Sequence, residues 1–180
     1  PIVSDECYVE LGWDVQPVSV LDPRVNDGNL ENILSVHSLS KRSNLAGYRS
    51  GAVLGDDRLI AAIVSLRKHA GMLMPMPVQH ATIAALGDDA HVVEQKARYR
   101  ARRDVLHSAF TSAGFEIQHS QAGLYLWLTR GQDCLETVNW LAQKGILVAP
   151  GDFYGPAGQE FVRVAMTATD ARIAAAASRL

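Results

Sequence analysis

The feature that most constrains this chain is one long helical stretch from about Ala90 to Ala113. It is bounded by the Gly87-Asp88-Asp89 break and by Gly114, and it places Val92, Tyr99, Leu106 and Phe110 along one face. A helix of that length separates two kinds of text. Before it, short β-branched runs alternate with helical ones, and after it strands and amphipathic helices follow in mixed order. The chain therefore reads as α/β first and α+β afterwards, with the division near residue 90.

Within the first part, Ile2-Val3-Ser4-Asp5-Glu6 reads as a buried strand with a polar exit. Ile33–Leu39 and Tyr48–Leu54 read as two more strands, joined by the polar connection Ser40–Gly47. Gly51 and Gly55 suit close backbone approach. Leu59, Ile60, Ile63, Val64 and Leu66 fall mostly at helical spacing between Asp56 and Ala70, and Pro77 opens a further helix through Leu86. In the second part, Phe115–Gln118 and Leu124–Thr129 read as an antiparallel pair. A helix over Cys134–Lys144, strands over Ile146–Val148 and Phe161–Ala165, and a helix over Thr169–Leu180 complete the expectation. The chain opens inside a strand, without an initiator Met or a basic and apolar leader, so further sequence is expected upstream.

Composition removes several function classes. Seventeen basic residues against nineteen acidic ones leave a formal charge of -2, which does not support a polyanion-binding surface. The basic cluster Lys96, Arg98, Arg100, Arg102 and Arg103 reads as a solvated helix face, with Glu94 placed to pair with Arg98. The longest apolar run, Leu59–Val64, is far shorter than the about 20 residues a membrane helix needs. Two cysteines, Cys7 and Cys134, make neither a disulfide framework nor a structural zinc site, and no two of the six histidines sit four apart, so no metal is assigned. A reducing, cytoplasmic setting is the plain reading. No Walker or Rossmann glycine loop, His-Glu-x-x-His or Gly-x-Ser-x-Gly occurs.

One constellation carries chemistry. Asp5 and Tyr8 follow the end of the first strand, Ser38 and Lys41 follow the end of the second, and Arg49 comes shortly after. A lysine amine can form an imine and shuttle a proton. Hydroxyl and guanidinium groups suit a phosphate, and a carboxylate can hold a pyridine nitrogen protonated. Together these are the groups that pyridoxal phosphate requires. Taken singly, each has a structural reading, since Lys41 could be a solvated loop lysine and Asp5 a turn former.

The run Ser38-Leu39-Ser40-Lys41-Arg42-Ser43-Asn44-Leu45-Ala46-Gly47-Tyr48-Arg49-Ser50-Gly51 resembles the cofactor-attachment motif of class I/II aminotransferases. Ser50 departs from the usual aliphatic residue there. Asp5-Glu6-Cys7-Tyr8 is similar to the family's Asp-x-x-Tyr. Gln121–Trp127, Val148–Gly155 and Phe161–Ala165 resemble its downstream motifs. The resemblance implies fold type I, with residues 1–90 as the C-terminal part of the large α/β domain and 91–180 as the small α+β domain. It implies pyridoxal 5'-phosphate on Lys41, with Asp5 at the pyridine nitrogen, Tyr8 at the ring oxygen, and Ser38 and Arg49 at the phosphate. Arg163 would bind the substrate carboxylate.

The family works as a homodimer with the active site at the interface, on amino-acid and 2-oxo-acid substrates, without nucleic acid or membrane partners. The Ser-Lys-Arg-Ser-Asn flavour is most similar to bacterial N-succinyl-diaminopimelate aminotransferases, implying glutamate as donor and N-succinyl-2-amino-6-oxopimelate as acceptor in lysine biosynthesis. The chain resembles the C-terminal half of such a subunit. Two alternatives share these residues: a C–S lyase, and the aminotransferase-like sensing domain of a transcription regulator.

Overall fold

Parallel pairing of two short strands organises the first half. In the computed structural model, which describes residues 1–180, β1 (Ile2–Asp5) runs beside β2 (Ile33–Ser38) with Asp5 in register with Val36. The connection carries the short helix α1 (Pro23–Asn26), capped by the Asp22 carboxylate, which accepts from Arg24 N. β2 leads into a four-residue helix, α2 (Leu39–Arg42), whose N-cap is Ser38. A 3₁₀ turn at Ala46–Tyr48 follows, and β3 (Gly51–Gly55) then pairs antiparallel with β2. Gly55 has φ of 138°, and a Cβ there would lie 2.1 Å from the Ile33 carbonyl oxygen, so only glycine lets β3 leave the sheet at that point. Asp56 caps α3 (Asp57–Ala70) and accepts from the amides of Arg58 and Leu59 and, at 2.7 Å, of Asn32. These donors hold its carboxyl far below the usual range, the Asn32 amide contributing most. Helix α4 is Met76–Leu86, with proline in its first turn.

The chain divides into two compact units, Pro1–Glu94 and Gln95–Leu180, and the boundary falls inside α5 (Ala90–Ser112). In the second unit, β4 (Glu116–Gln118), β5 (Tyr125–Thr129), β6 (Ala149–Pro150) and β7 (Phe161–Ala165) form an antiparallel sheet in the order β4-β5-β7-β6. Helix α6 (Cys134–Gln143) lies between β5 and β6 in sequence, and α7 (Asp170–Ala177) closes the chain. Strand alternation sends Leu126, Leu128, Val162 and Val164 to one face, where all are buried together with Leu106, Phe110, Leu141 and Met166. Each such side chain contributes about 1.5–3 kcal/mol relative to exposure. The ring of Phe110 meets that of Phe115 edge-on at 5.1 Å.

Several expectations need correction. Ile146–Val148 is not a strand: the Ile146 amide closes the end of α6 on the Leu141 carbonyl, Leu147 is exposed, and pairing starts only at Ala149. Tyr48–Leu54 is not one strand, because Arg49 adopts a left-handed conformation (φ 55°) that ends the 3₁₀ turn before β3 begins. The connection after β2 is helical at Leu39–Arg42 rather than a plain loop. The β1 strand forms, but Ile2 and Val3 are exposed at the sheet edge. The apolar side of α3 is only half-buried at Leu59, Ile60 and Ile63, with Val64 and Leu66 exposed.

The basic stretch of α5 is not uniformly solvated either. Arg102 and Arg103 are largely buried; Arg102 donates to Asp170 at 2.5 Å and Arg103 to the Ser120 carbonyl at 2.8 Å. Val92, Tyr99, Leu106 and Phe110 do form a buried face. No helix is long and apolar enough to cross a membrane.

Candidate active site

Parallel strands end at the same edge of a sheet, and that edge is where α/β proteins collect their chemistry. Here β1 ends on Asp5 and β2 on Ser38, so pairing alone delivers a carboxylate and a hydroxyl to one edge. Ser38 then caps α2, its Oγ accepting from the Ser40 amide at 3.1 Å. Lys41 lies within that single turn. Antiparallel pairing of Ser38 with Gly51 brings the backbone just after Arg49 alongside, and the Leu39 amide donates to the Ser50 carbonyl.

Cys7 sits against the first of these pieces, and sequence reasoning missed it. Its amide donates to Asp5 Oδ1 at 3.1 Å, and the charges of Asp5 and Lys41 both act on its thiol. Burial pushes the thiol up, and the Asp5 bond and charge push it further, so it remains a protonated donor. In return the Cys7 thiol, and then its amide, hold the Asp5 carboxyl below the usual carboxylate range. An ionised carboxylate at this position is what a protonated pyridine nitrogen needs as partner. The signal was available in the sequence, since an Asp at a strand exit readily accepts from the backbone amide two residues on.

Beneath this edge lies a buried polar layer. Glu6 is 7% exposed; its Oε1 accepts from the Val20 amide at 2.7 Å, and Oε2 lies 3.6 Å from His37 Nε2. His37 Nε2 in turn sits 2.8 Å from Ser35 Oγ. Burial raises the Glu6 carboxyl, but donors from Ser19, Val20, Ser35 and Ser4 outweigh it and leave the group below its ordinary value. Arg42, next to the lysine, donates to Glu10 at 2.8 Å, to the Ala85 carbonyl at 2.9 Å and to Asp89, so it fastens α2 to the end of α4 and the start of α5. Ser50 is buried, and its hydroxyl lies 2.6 Å from Thr82 Oγ1; the polar residue that departs from the family pattern is satisfied by a partner on α4.

Not every expected residue is gathered here. Arg49 is exposed, and its Nη1 donates to the Ala46 carbonyl at 2.8 Å. Its side chain lines a different cavity from Ser38, one walled by α3 and the Met72–Pro75 segment. Tyr8 is half-buried beside Asp5 and Cys7 in sequence. Arg163 belongs to the second unit, on β7 opposite Trp127 of β5. Its Nε is buried without a hydrogen-bond partner. The residues gathered at the strand ends fit pyridoxal phosphate: the Lys41 amine, the ionised Asp5 carboxylate and the capping Ser38 hydroxyl.

Comparison with known proteins agrees with this chemistry. The family model described as aminotransferase class I and II matches residues 1–180. The chain is 60% identical to the probable aminotransferase Rv1178 of Mycobacterium tuberculosis, covering 99% of this chain and 43% of that protein. It is 59% identical to 4-dedimethylamino-4-oxo-anhydrotetracycline transaminase OxyQ of Streptomyces rimosus, over 99% of this chain and 50% of the relative. A crystal structure of an aminotransferase from Neisseria meningitidis superposes with a TM-score of 0.88 at 34% identity, covering 97% of this chain and 47% of the other. The chain thus spans about half the length of the relatives it matches. It belongs to the class I and II aminotransferases, transferases of fold type I that depend on pyridoxal phosphate.

Proposed function

We propose that the protein containing this chain transfers an amino group from an amino acid such as glutamate to an oxo acceptor. The observation that carries the reading is the delivery of Asp5 and Ser38 to one sheet edge, with Lys41 one helical turn beyond and the Cys7 amide on the Asp5 carboxylate. Residues 1–90 are then the C-terminal part of the large domain and 91–180 the small domain, and the protein acts as a homodimer. Pyridoxal phosphate, when bound, supplies a ring that withdraws electrons from the carbon losing its proton.

The chain's own residues do the rest. The ionised Asp5 carboxylate holds the pyridine nitrogen protonated, and Tyr8 hydrogen-bonds the ring oxygen. Ser38 Oγ binds the phosphate, and Arg49 joins it by swinging out of the cavity walled by α3, where one of its nitrogens donates to the Ala46 carbonyl. The Lys41 amine attaches the cofactor and afterwards moves the proton. Arg163 receives the substrate carboxylate on its planar fork.

The Ser38–Gly51 run supports N-succinyl-2-amino-6-oxopimelate as acceptor, which places the enzyme in diaminopimelate and lysine biosynthesis in the cytoplasm. A second acceptor reading, a bulky cyclic ketone, is favoured by the 59% identity to OxyQ. Borohydride reduction of the loaded full-length enzyme followed by peptide mapping tests the site: the cofactor is expected on Lys41, and recovery on Lys68 or Lys96 would overturn it. Amino-group transfer that requires an oxo acceptor separates transamination from C–S lysis, which releases ammonia and pyruvate without one. Comparing kcat/KM for the succinylated acceptor and an anhydrotetracycline ketone decides between the acceptors.

A further inference from the structure

The outward face of the second sheet is built around Arg163. Trp127 pairs with Arg163 and Thr129 with Phe161, so strand alternation sets Tyr125, Trp127, Phe161 and Arg163 on the face opposite the buried leucines and valines. The Arg163 guanidinium carbon lies 4.2 Å from the Tyr125 ring centroid and 5.2 Å from that of Tyr154. Trp127 meets Tyr154 edge-on, at 5.7 Å and 83°, and stacks on Phe161 at 5.1 Å and 8°. The result is a continuous ladder, Phe161–Trp127–Tyr154–Arg163–Tyr125. It contains one cation, and that cation has a buried Nε with no hydrogen-bond partner.

A guanidinium with ring faces against it cannot accept partners through its plane. Only its in-plane edge remains for hydrogen bonds, and that edge matches a carboxylate bidentately. We propose that Tyr125 and Tyr154 are positioning residues that hold the Arg163 fork for the substrate carboxylate, with Trp127 and Phe161 buttressing Tyr154. The inference rests on Arg163 being the carboxylate anchor. It adds that the anchor is oriented by π faces rather than by a hydrogen-bonded acid, and that ring faces, not phenolic hydroxyls, do the orienting.

The test uses the full-length, cofactor-loaded enzyme and two readouts, steady-state kinetics and calorimetric binding of glutarate, which carries carboxylates and no reactive amine. Tyr154→Leu and Tyr125→Leu should each raise KM for the amino donor and the glutarate Kd by about 3- to 10-fold, with a smaller change in kcat. Tyr154→Phe and Tyr125→Phe keep the ring face and should stay within about 2-fold of wild type. In an Arg163→Ala background, neither Leu substitution should weaken glutarate binding further, because a residue acting through Arg163 has nothing left to act on. Tyr154 is more than half exposed, so its replacement leaves the core intact, and unchanged thermal unfolding would establish that. If Arg163→Ala itself leaves glutarate binding unchanged, the anchor reading fails. If Arg163→Ala weakens binding but the Leu variants do not, or if Phe and Leu variants lose equally, or if the loss persists without Arg163, the positioning role is overturned while the anchor stands.

Discussion

Gly151→Ala adds one methyl group at the turn that shapes the aromatic ladder. Gly151 opens the 3₁₀ turn Gly151–Tyr154 and is buried. A Cβ built there lies 2.2 Å from the Gly158 carbonyl oxygen, 2.6 Å from that of Phe161 and 2.9 Å from Trp127 Cη2. Carbon needs about 3.5 Å from such neighbours, so the backbone must move by about 1 Å or more. Neither carbonyl yields easily. Phe161 is tied into the β5–β7 ladder, while the segments next to Gly158 are anchored by Cys134 N to Gln159 O at 2.7 Å and Thr129 Oγ1 to Glu160 O at 2.5 Å. Overpacking of a well-filled site costs about 1–3 kcal/mol, and two fixed carbonyls place this substitution at about 3.

That loss amounts to roughly a hundredfold in the unfolding equilibrium constant. Urea unfolding of the full-length enzyme measures it, as a lower midpoint at unchanged slope. Gly47→Ala is the control: a Cβ there meets nothing within 4 Å, so stability should stay within about 0.5 kcal/mol. Because Trp127 Cη2 is one of the three obstructed atoms, the same variant should also raise KM through the displaced Tyr154 and Arg163. A Gly151→Ala protein within about 0.5 kcal/mol of wild type, with unchanged KM, would refute the steric argument.

Two further outcomes follow from the first unit. Arg42→Met keeps the apolar stem but strands Glu10, the Ala85 carbonyl and Asp89; with the Arg42 side chain only 14% exposed, it should cost about 2 kcal/mol in urea unfolding, and a change below about 0.5 would show that α2 is fastened otherwise. The Asp5 carboxyl, held low by the Cys7 thiol and amide, should stay ionised as pH falls through the ordinary value of about 3.9, so cofactor affinity is retained there and lost only below it. Cys7→Ala removes the thiol and keeps the amide, so its affinity should fall away at a higher pH; superimposable profiles would remove the thiol from the account.

What could be read from the sequence was the periodic and the local. The buried stripe of α5 and the strand exits at Asp5 and Ser38 are each set by residues within a turn or a pleat of one another. The meeting of Asp5 and Ser38 was legible for the same reason: each ends a strand, and parallel strands necessarily present those ends together. Arg49 shows the limit of spacing: the residue lies near Ser38 along the backbone, yet a left-handed φ of 55° turns its guanidinium to the Ala46 carbonyl. Ile146–Val148 shows the limit of β propensity, because apolar β-branched text does not make a strand where a helix C-terminus takes up the amide.

The features that escaped the sequence are side-chain meetings across elements, and they share a cause. Ser50 looked like a departure from an aliphatic pattern until Thr82, on a different helix, supplied its hydroxyl partner; one polar residue became acceptable because a second one faces it. Arg102 and Arg103 looked like solvated cations until Asp170 and Ser120 met them from segments far along the chain. The ladder around Arg163 is the extreme case. Its five members come from β5, β7 and the Gly151–Tyr154 turn, and no two of them are adjacent in sequence. A motif search finds the arginine and cannot find what orients it, because orientation depends on register. A shift of one residue between β5 and β7 would send Arg163 toward the face that holds Leu126 and Leu128 and take it out of the ladder altogether.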